Sequence, residues 1–207
     1  MVLEPPGMDP TIAPAAAIGE IVHYNVLEGL TKINVDGSVT PLLAESWEVS
    51  PDLKTYTFKL RRGVKFQNGE PFNAAAVKFS FERAAAEKST NKDKRTFASM
   101  ERVAVVDDHT VVILNKELNP DFLFLMGQAT AIIVEPKSAD TNATKPVGTG
   151  PYKLDSWSKG ASVTLSKWPE SRSATSIKMN KATFRFISDP AAQVAALLSG
   201  DVDVFPR

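Results

Sequence analysis

The chain has 207 residues, and its 24 basic and 24 acidic side chains give a formal net charge of zero, so no overall field favours nucleic acid or an anionic membrane. Cysteine is absent, which excludes disulfides, thiolate metal sites and cysteine nucleophiles. Hydrophobic residues make up 43% of the sequence, enough for one large or two small domains, and no apolar run approaches the length of a membrane span.

The first third of the chain predicts a strand, a helix and two hairpins, over residues 2–4, 14–30, 31–41 and 43–60. The strand ends at Pro5 and Pro6, which cannot donate to a ladder. Apolar residues at intervals of three and four predict the helix. Asp36-Gly37 supplies the positive φ angles of a type I′ turn, and alternation of apolar and polar residues predicts the second hairpin.

The middle third predicts a helix, a hairpin, a short helix and a buried strand, over residues 74–86, 100–115, 119–126 and 131–134. Asn73 is a suitable N-cap for the first of these helices. Residues 140–146 are polar and predict a linker that returns the chain to the first sheet.

The last third predicts a hairpin, a strand, a helix and a final strand, over residues 152–168, 183–187, 190–200 and 201–205. Pro190 suits the first turn of the helix and Gly200 its end. The strand, helix and strand in succession favour a right-handed βαβ unit.

Residues 148–151, Gly-Thr-Gly-Pro, resemble a phosphate loop only superficially. A P-loop ends in Lys-Ser/Thr and leads into a helix, whereas a strand follows here, so we interpret the glycines as a turn into the sheet. His23 and His109 are the only histidines, they lie far apart, and no Gly-x-Ser-x-Gly elbow is present. The sequence therefore predicts no enzyme activity, no metal site and no cofactor.

An ordered series of motifs runs through nearly the whole chain. Its members are Asp9-Pro10 and the segments 41–50, 56–72, 79–83, 147–153 and 198–204. Together they resemble the extracytoplasmic solute-binding proteins of peptide- and nickel-type ABC importers, also called family 5.

The resemblance implies an α/β fold, the first lobe of a class II periplasmic-binding-protein-like structure. Residues 1–44 and 146–207 are expected to form a mixed sheet, and residues 45–145 an inserted α+β subdomain. Relatives are more than twice as long, so we expect the second lobe to be missing after residue 207.

Topology supplies the candidate binding residues, since ligands bind outside the carboxyl ends of strands in open α/β lobes. The candidates that could face the solute are Met8, Tyr24, Asn25 and Phe205; interior packing is the alternative for each. Asp9 is interpreted as a turn or cap residue. By resemblance Trp47 and Trp157 are mainly structural, and the basic segment 61–66 lies remote from the cleft with solvated charges.

The resemblance implies a non-enzymatic solute receptor, periplasmic or lipid-anchored outside the cytoplasm, that works with a membrane permease. Peptides are the first expectation for the solute; opines, sugars and nickel chelates stay open. The alternative is a natural or engineered fragment that acts as a structural or interaction module without binding solute on its own. Apolar surface near Phe205 is expected to make the chain self-associate.

Overall fold

A computed structural model describes residues 1–205 as three antiparallel sheets flanked by short helices. The α/β class is confirmed. No helix within these residues is long and apolar enough to cross a membrane.

The N-terminal part contains helix α1 (Ala16–Val22) and a two-stranded sheet of β1 (Thr31–Ile33) and β2 (Val39–Pro41). The hairpin over 31–41 is confirmed, but its turn is not type I′, because Gly37 has φ 81° whereas Asp36 has no positive φ, and Gly37 N donates to Asn34 O at 2.9 Å. The helix is shorter than predicted because His23 has an extended backbone, with ψ 126°, and Tyr24 then takes a left-handed φ of 63°.

Residues 2–4 form no strand, which corrects the prediction. The Met1 ammonium donates to Arg185 O at 2.6 Å, and Ile187 N donates to Met1 O at 2.8 Å. The chain therefore starts beside the end of a later strand, but Pro5 and Pro6 prevent it from continuing as a ladder.

A four-stranded sheet forms the centre of the first core. Its strands run in the order β3 (Ala44–Val49), β4 (Thr55–Leu60), β6 (Thr110–Asn115) and β5 (Met100–Asp107). Helices α2 (Ala74–Ala85) and α3 (Lys94–Ala98) cover it. The Asn73 cap is confirmed, since its side chain accepts a hydrogen bond from Ala76 N at 3.1 Å.

Helix α4 (Phe122–Leu125) and a 3-10 turn (Ala129–Ala131) precede the segment 131–134, which is buried as expected but is not a strand. Its amides bond elsewhere: Ile133 N donates to Glu28 O and Val134 N to the Ser80 hydroxyl. Ala131 and Ile133 face the first core, whereas Ile132 and Val134 face a second one. The segment lies between the two cores and has no sheet to join.

The third sheet contains β7 (Tyr152–Ser158), β8 (Ser162–Lys167) and β9 (Lys181–Arg185), and helix α5 (Pro190–Leu198) follows. The strand predicted over 201–205 is not formed in the described residues. Asp201 N and Val202 N both donate to Ala196 O, and Gly200 has φ 78°, so the chain closes the helix in a turn. The parallel βαβ pairing is therefore wrong for this segment.

Two apolar cores hold these elements together. The first lies between the four-stranded sheet and α2, and includes Phe58, Phe81 and Phe122. The second lies between α1 and the three-stranded sheet, and includes Ile18, Val163 and Leu165. The turn after α1, residues 22–27, lies against residues 148–150, where the chain passes from the first core to the second.

Candidate functional site

The turn from Val22 to Leu27 contains two of the predicted site residues, Tyr24 and Asn25. Val26 N and Leu27 N both donate to Val22 O, and Tyr24 N donates to Leu27 O at 2.9 Å. These bonds close a tight loop around the left-handed Tyr24. A bulky residue at positive φ is uncommon, and such strain persists only where the surroundings fix it.

Two hydrogen bonds of the Tyr24 hydroxyl hold the residue in this conformation. It donates to Gly127 O at 2.8 Å and accepts from Ile33 N at 2.9 Å, and the ring stacks on His23 with centroids 3.8 Å apart. Burial raises the pKa of the hydroxyl, against the effect of the Ile33 hydrogen bond, so the group stays neutral at ordinary pH. The hydroxyl is therefore occupied within the fold, and the ring, which also has the Lys32 ammonium 5.9 Å from its centroid, is half-buried.

Asn25 is held by its backbone carbonyl and by one end of its side chain. Its amide nitrogen donates to Ile21 O at 2.9 Å, and its carbonyl accepts from Tyr152 N at 2.9 Å. The side-chain oxygen accepts no hydrogen bond from residues 1–205. The fold thus positions this oxygen and leaves it without a hydrogen-bond donor among the described residues.

The Gly-Thr-Gly motif lies directly against this turn. A Cβ on Gly148 would lie 1.9 Å from Val26 O, and one on Gly150 would lie 2.4 Å from Asn25 O. Gly150 N donates to Val26 O at 3.0 Å. The glycines thus allow two backbones to touch and lead the chain into β7, as the sequence predicted.

A buried ion pair lies beside the same motif. Arg172 donates to both oxygens of Glu28, at 2.7 and 2.8 Å, and the Thr149 hydroxyl donates to Glu28 Oε2 at 2.7 Å. The Glu28 side chain is 4% exposed and that of Arg172 is 26% exposed. The sequence analysis missed this pair; an acid within the apolar run 26–30 was the available signal.

The other two predicted site residues, Met8 and Phe205, are not exposed side chains beside this turn. Met8 is fully buried in the second core, and its N–H donates to Ala143 O at 2.9 Å. The Met8 side chain therefore packs in the interior, which is the alternative given for it in the sequence analysis. Phe205 is half-buried at the edge of the described residues and belongs to no sheet.

Asp9 has the turn role expected of it. Its Oδ1 accepts from Thr11 N at 2.8 Å and from the Thr11 hydroxyl at 2.6 Å, while Arg83 lies 3.4 Å from Oδ2. The carboxylate is fully buried, so these partners leave it no exposed surface.

His23 is the second titratable group within the turn. Burial lowers its pKa from 6.5 to about 4, although the hydrogen bond to the Gly127 backbone acts in the opposite direction. The imidazole is therefore neutral at physiological pH. Within residues 1–205 no group of three His, Cys, Asp or Glu side chains is arranged to hold a metal ion.

The chain is similar to known proteins over most of its length. A family model described as bacterial extracellular solute-binding proteins, family 5, matches residues 38–207. A glutathione-binding protein, GsiB, of Salmonella choleraesuis (strain SC-B67) is 32% identical over 194 residues, which cover 91% of this chain. The chain spans only 38% of that relative's length.

Two solved structures are similar in fold as well as in sequence. The binding protein AgaA of A. tumefaciens R10, in complex with agropinic acid, has a TM-score of 0.87 and 31% identity over 96% of this chain and 41% of its own. OppA of Haemophilus influenzae, in complex with the peptide RPPGFSPFR, has a TM-score of 0.89 and 26% identity over 97% of this chain and 44% of its own.

Proposed function

The chain belongs to the bacterial extracellular solute-binding proteins of family 5, and on this basis we propose that it is the first lobe of the solute-binding component of an ABC importer. The observation that carries the proposal is the family match over residues 38–207, supported by the fold similarity at a TM-score of 0.89. In this role the chain binds and presents a solute, outside the cytoplasm, and performs no catalysis.

Peptides and related small acids are the proposed solutes. The names of the similar proteins mention glutathione, agropinic acid and a nonapeptide, and all three ligands carry amide or carboxylate groups. The free side-chain oxygen of Asn25 suits an amide or ammonium donor of such a solute, and the Tyr24 ring suits an apolar part. Met8 contributes less, since its side chain is fully buried, whereas Phe205 is half-buried and keeps a partly exposed ring.

The lobe is proposed to divide into a sheet subdomain, residues 1–44 and 146–207, and an inserted subdomain, residues 45–145. The two separate cores support this division. Exceptions occur in both directions: Ile132, Val134 and Ala139 lie within the inserted range but belong to the second core, and Leu30, Leu43 and Ala44 lie within residues 1–44 but belong to the first core.

Calorimetric titration tests the proposed function. Glutathione, a tripeptide and a nonapeptide are titrated into this chain and into the same chain extended by the second lobe of the glutathione-binding relative. We expect weak or no binding by the chain alone, since one wall of the cleft cannot offset association costs of several kcal/mol. We expect measurable binding by the extended protein, reduced about tenfold by Asn25→Ala.

Two outcomes would contradict the proposal. One is sub-micromolar binding of a peptide by the chain alone. The other is an extended protein that folds, as judged by circular dichroism, and binds none of the three solutes.

We further propose that the chain self-associates through α5 and the residues that follow it. Leu198 is 82% exposed and Val204 is 77% exposed, and Val194 and Leu197 add to the same apolar helix. Exposed apolar surface of this kind favours a partner.

A further inference from the structure

A cavity of about 400 Å³ opens beside the buried ion pair. Its walls are Pro41 and Leu42 at the end of β2, Arg61 just after β4, and Arg172 with Ser173. The first three residues and the last two come from distant parts of the chain, so the cavity exists only in the folded protein.

Arg61 is held in place and still has donors to offer. Its backbone N–H donates to Leu43 O at 2.9 Å, and its Nε donates to Leu42 O. Neither terminal nitrogen, Nη1 or Nη2, has a hydrogen-bonding partner or an ion-pair partner within residues 1–205. A guanidinium fixed through Nε presents its remaining donors in a planar fork that matches a carboxylate or phosphate group.

Arg172 forms the opposite wall. Its charge is neutralised by Glu28, which lies behind it with both oxygens bonded to its terminal nitrogens. The Arg61 charge has no such counterpart in the described part of the chain. Of the charges on Arg61, Arg172 and Glu28, one positive charge is therefore left over at the cavity.

Ser173 adds a neutral donor on the same wall. Its backbone N–H donates to the Ser171 hydroxyl at 3.2 Å and its carbonyl accepts from the Ser176 hydroxyl at 2.9 Å. Its own hydroxyl bonds to nothing within residues 1–205. The cavity thus combines a cation that has no counter-ion with a hydroxyl that has no partner.

The surroundings keep this positive character. Arg172 also lines an adjoining cavity of about 270 Å³ together with Lys65 and Glu170, whose charges cancel. Arg62, next in sequence, is exposed and lines neither cavity. No carboxylate lines the larger cavity itself.

We propose that this cavity binds an oxyanion, a carboxylate or a phosphate group, through the terminal nitrogens of Arg61 and the hydroxyl of Ser173, with the ion-paired Arg172 as the neighbouring wall. In this proposal the basic segment 61–66, whose charges were expected to contact only solvent, contributes to a binding site. The inference rests on these contacts alone and is independent of the proposed importer function.

The test is a titration of the ¹⁵N-labelled chain with sodium phosphate and, separately, sodium acetate, followed through the arginine Nε–Hε signals by NMR. Sodium chloride at equal ionic strength corrects for screening. We expect a saturable shift of the Arg61 signal and none of the Arg62 signal. Comparison of the two salts, and of vesicles with and without phosphatidylglycerol, identifies whether phosphate, carboxylate or a lipid phosphate binds best.

Two matched variants complete the test. Arg61→Gln removes the fork and should raise the dissociation constant at least about tenfold, whereas Arg62→Gln removes an exposed charge and should leave it unchanged within about twofold. Since Arg61→Gln also loses the bond to Leu42 O, its folding is checked by thermal melting, and the wild-type NMR titration stands without it. An Arg61 signal that moves no more in phosphate and acetate than in chloride, or equal weakening by both variants, would overturn the proposal.

Discussion

Gly148 touches the backbone of the turn after α1 so closely that a side chain has no room. In Gly148→Ala the new Cβ would lie 1.9 Å from Val26 O, a backbone atom that cannot rotate away. We expect the free energy of unfolding to fall by about 3 kcal/mol, because the two segments must separate. Urea denaturation measures the loss.

Gly19→Ala is the matched control for that substitution. Its Cβ would meet only the Ala129 Cβ, at 3.8 Å, and alanine favours the helical backbone of α1. Stability should stay constant or rise by about 0.5 kcal/mol. Equal stability of the two variants would show that the close approach at Gly148 does not affect the free energy of unfolding.

His23 links the stability of this turn to pH. Its pKa is about 4 in the folded chain against 6.5 when unperturbed, so between these values the unfolded chain binds more protons. The contribution is fully present above about pH 6.5 and is lost as the pH falls towards 4, with about 2 kcal/mol gone by about pH 5.

Urea titrations at several pH values, for the wild type and for His23→Phe, measure how the free energy of unfolding depends on the protonation of His23. Phenylalanine keeps an aromatic ring against Tyr24 and cannot titrate, so its stability should fall less on acidification. Parallel pH profiles for the two proteins would contradict the prediction, as would an NMR titration of the His23 ring with a midpoint above about 6.

Single residues were predictable where their role is local. Asn73 and Asp36-Gly37 act on backbone within three residues of themselves, so sequence spacing identifies them. Glu28 and Arg172 meet across 144 positions, and no periodicity links them. The burial of Met8 depends on the second core, which assembles from segments that the sequence does not show to be neighbours.

At the scale of elements, the N-cap of α2 gives the clearest test. Asn73→Ala removes the acceptor for Ala76 N and should lower the free energy of unfolding by about 1 kcal/mol. Asn73→Asp keeps a capping oxygen and should lose less than half of that. Thermal melting of both variants decides the matter, and equal loss would show that the cap contributes nothing specific.

The hairpins were predictable because alternation and turn residues are both local signals, and all four predicted strand pairs are present. The segments 131–134 and 201–205 are also rich in apolar residues, but neither pairs with a strand in the described part of the chain. Hydrophobic content therefore predicted the burial of 131–134, while sheet membership depended on partners that only the assembled molecule reveals.

The exposed face of α5 sets a prediction for the whole molecule. Light scattering over a concentration series should show self-association of the wild type, and Leu198→Asp should raise the dissociation constant at least about tenfold, because a charge replaces a buried contact. Leu118→Asp changes an equally apolar but separate position, 62% exposed, and should have no effect.

Phe205→Asp tests whether the interface extends beyond the helix. We expect weakening smaller than that of Leu198→Asp, since Phe205 is already half-buried. A wild type that stays monomeric at millimolar concentration would contradict the proposal of self-association.

The α/β class and the family could be predicted from the sequence, because motifs in fixed order extend over most of the chain. The arrangement of the turn 22–27, the glycine motif and the ion pair could not. Each of these depends on contacts between chain segments more than a hundred residues apart.

Those separations also determine when the protein can fold as it is synthesised. The first core needs residues only as far as about 147, but Glu28 stays without its cation until Arg172 has been made, and the Met1 ammonium waits for Arg185. Closing such long loops is slow, because the entropy of joining distant residues is lost before their contacts form. The segment around the turn 22–27 is therefore synthesised well before it can become native, because its partners at residues 149, 152 and 172 come much later in the chain.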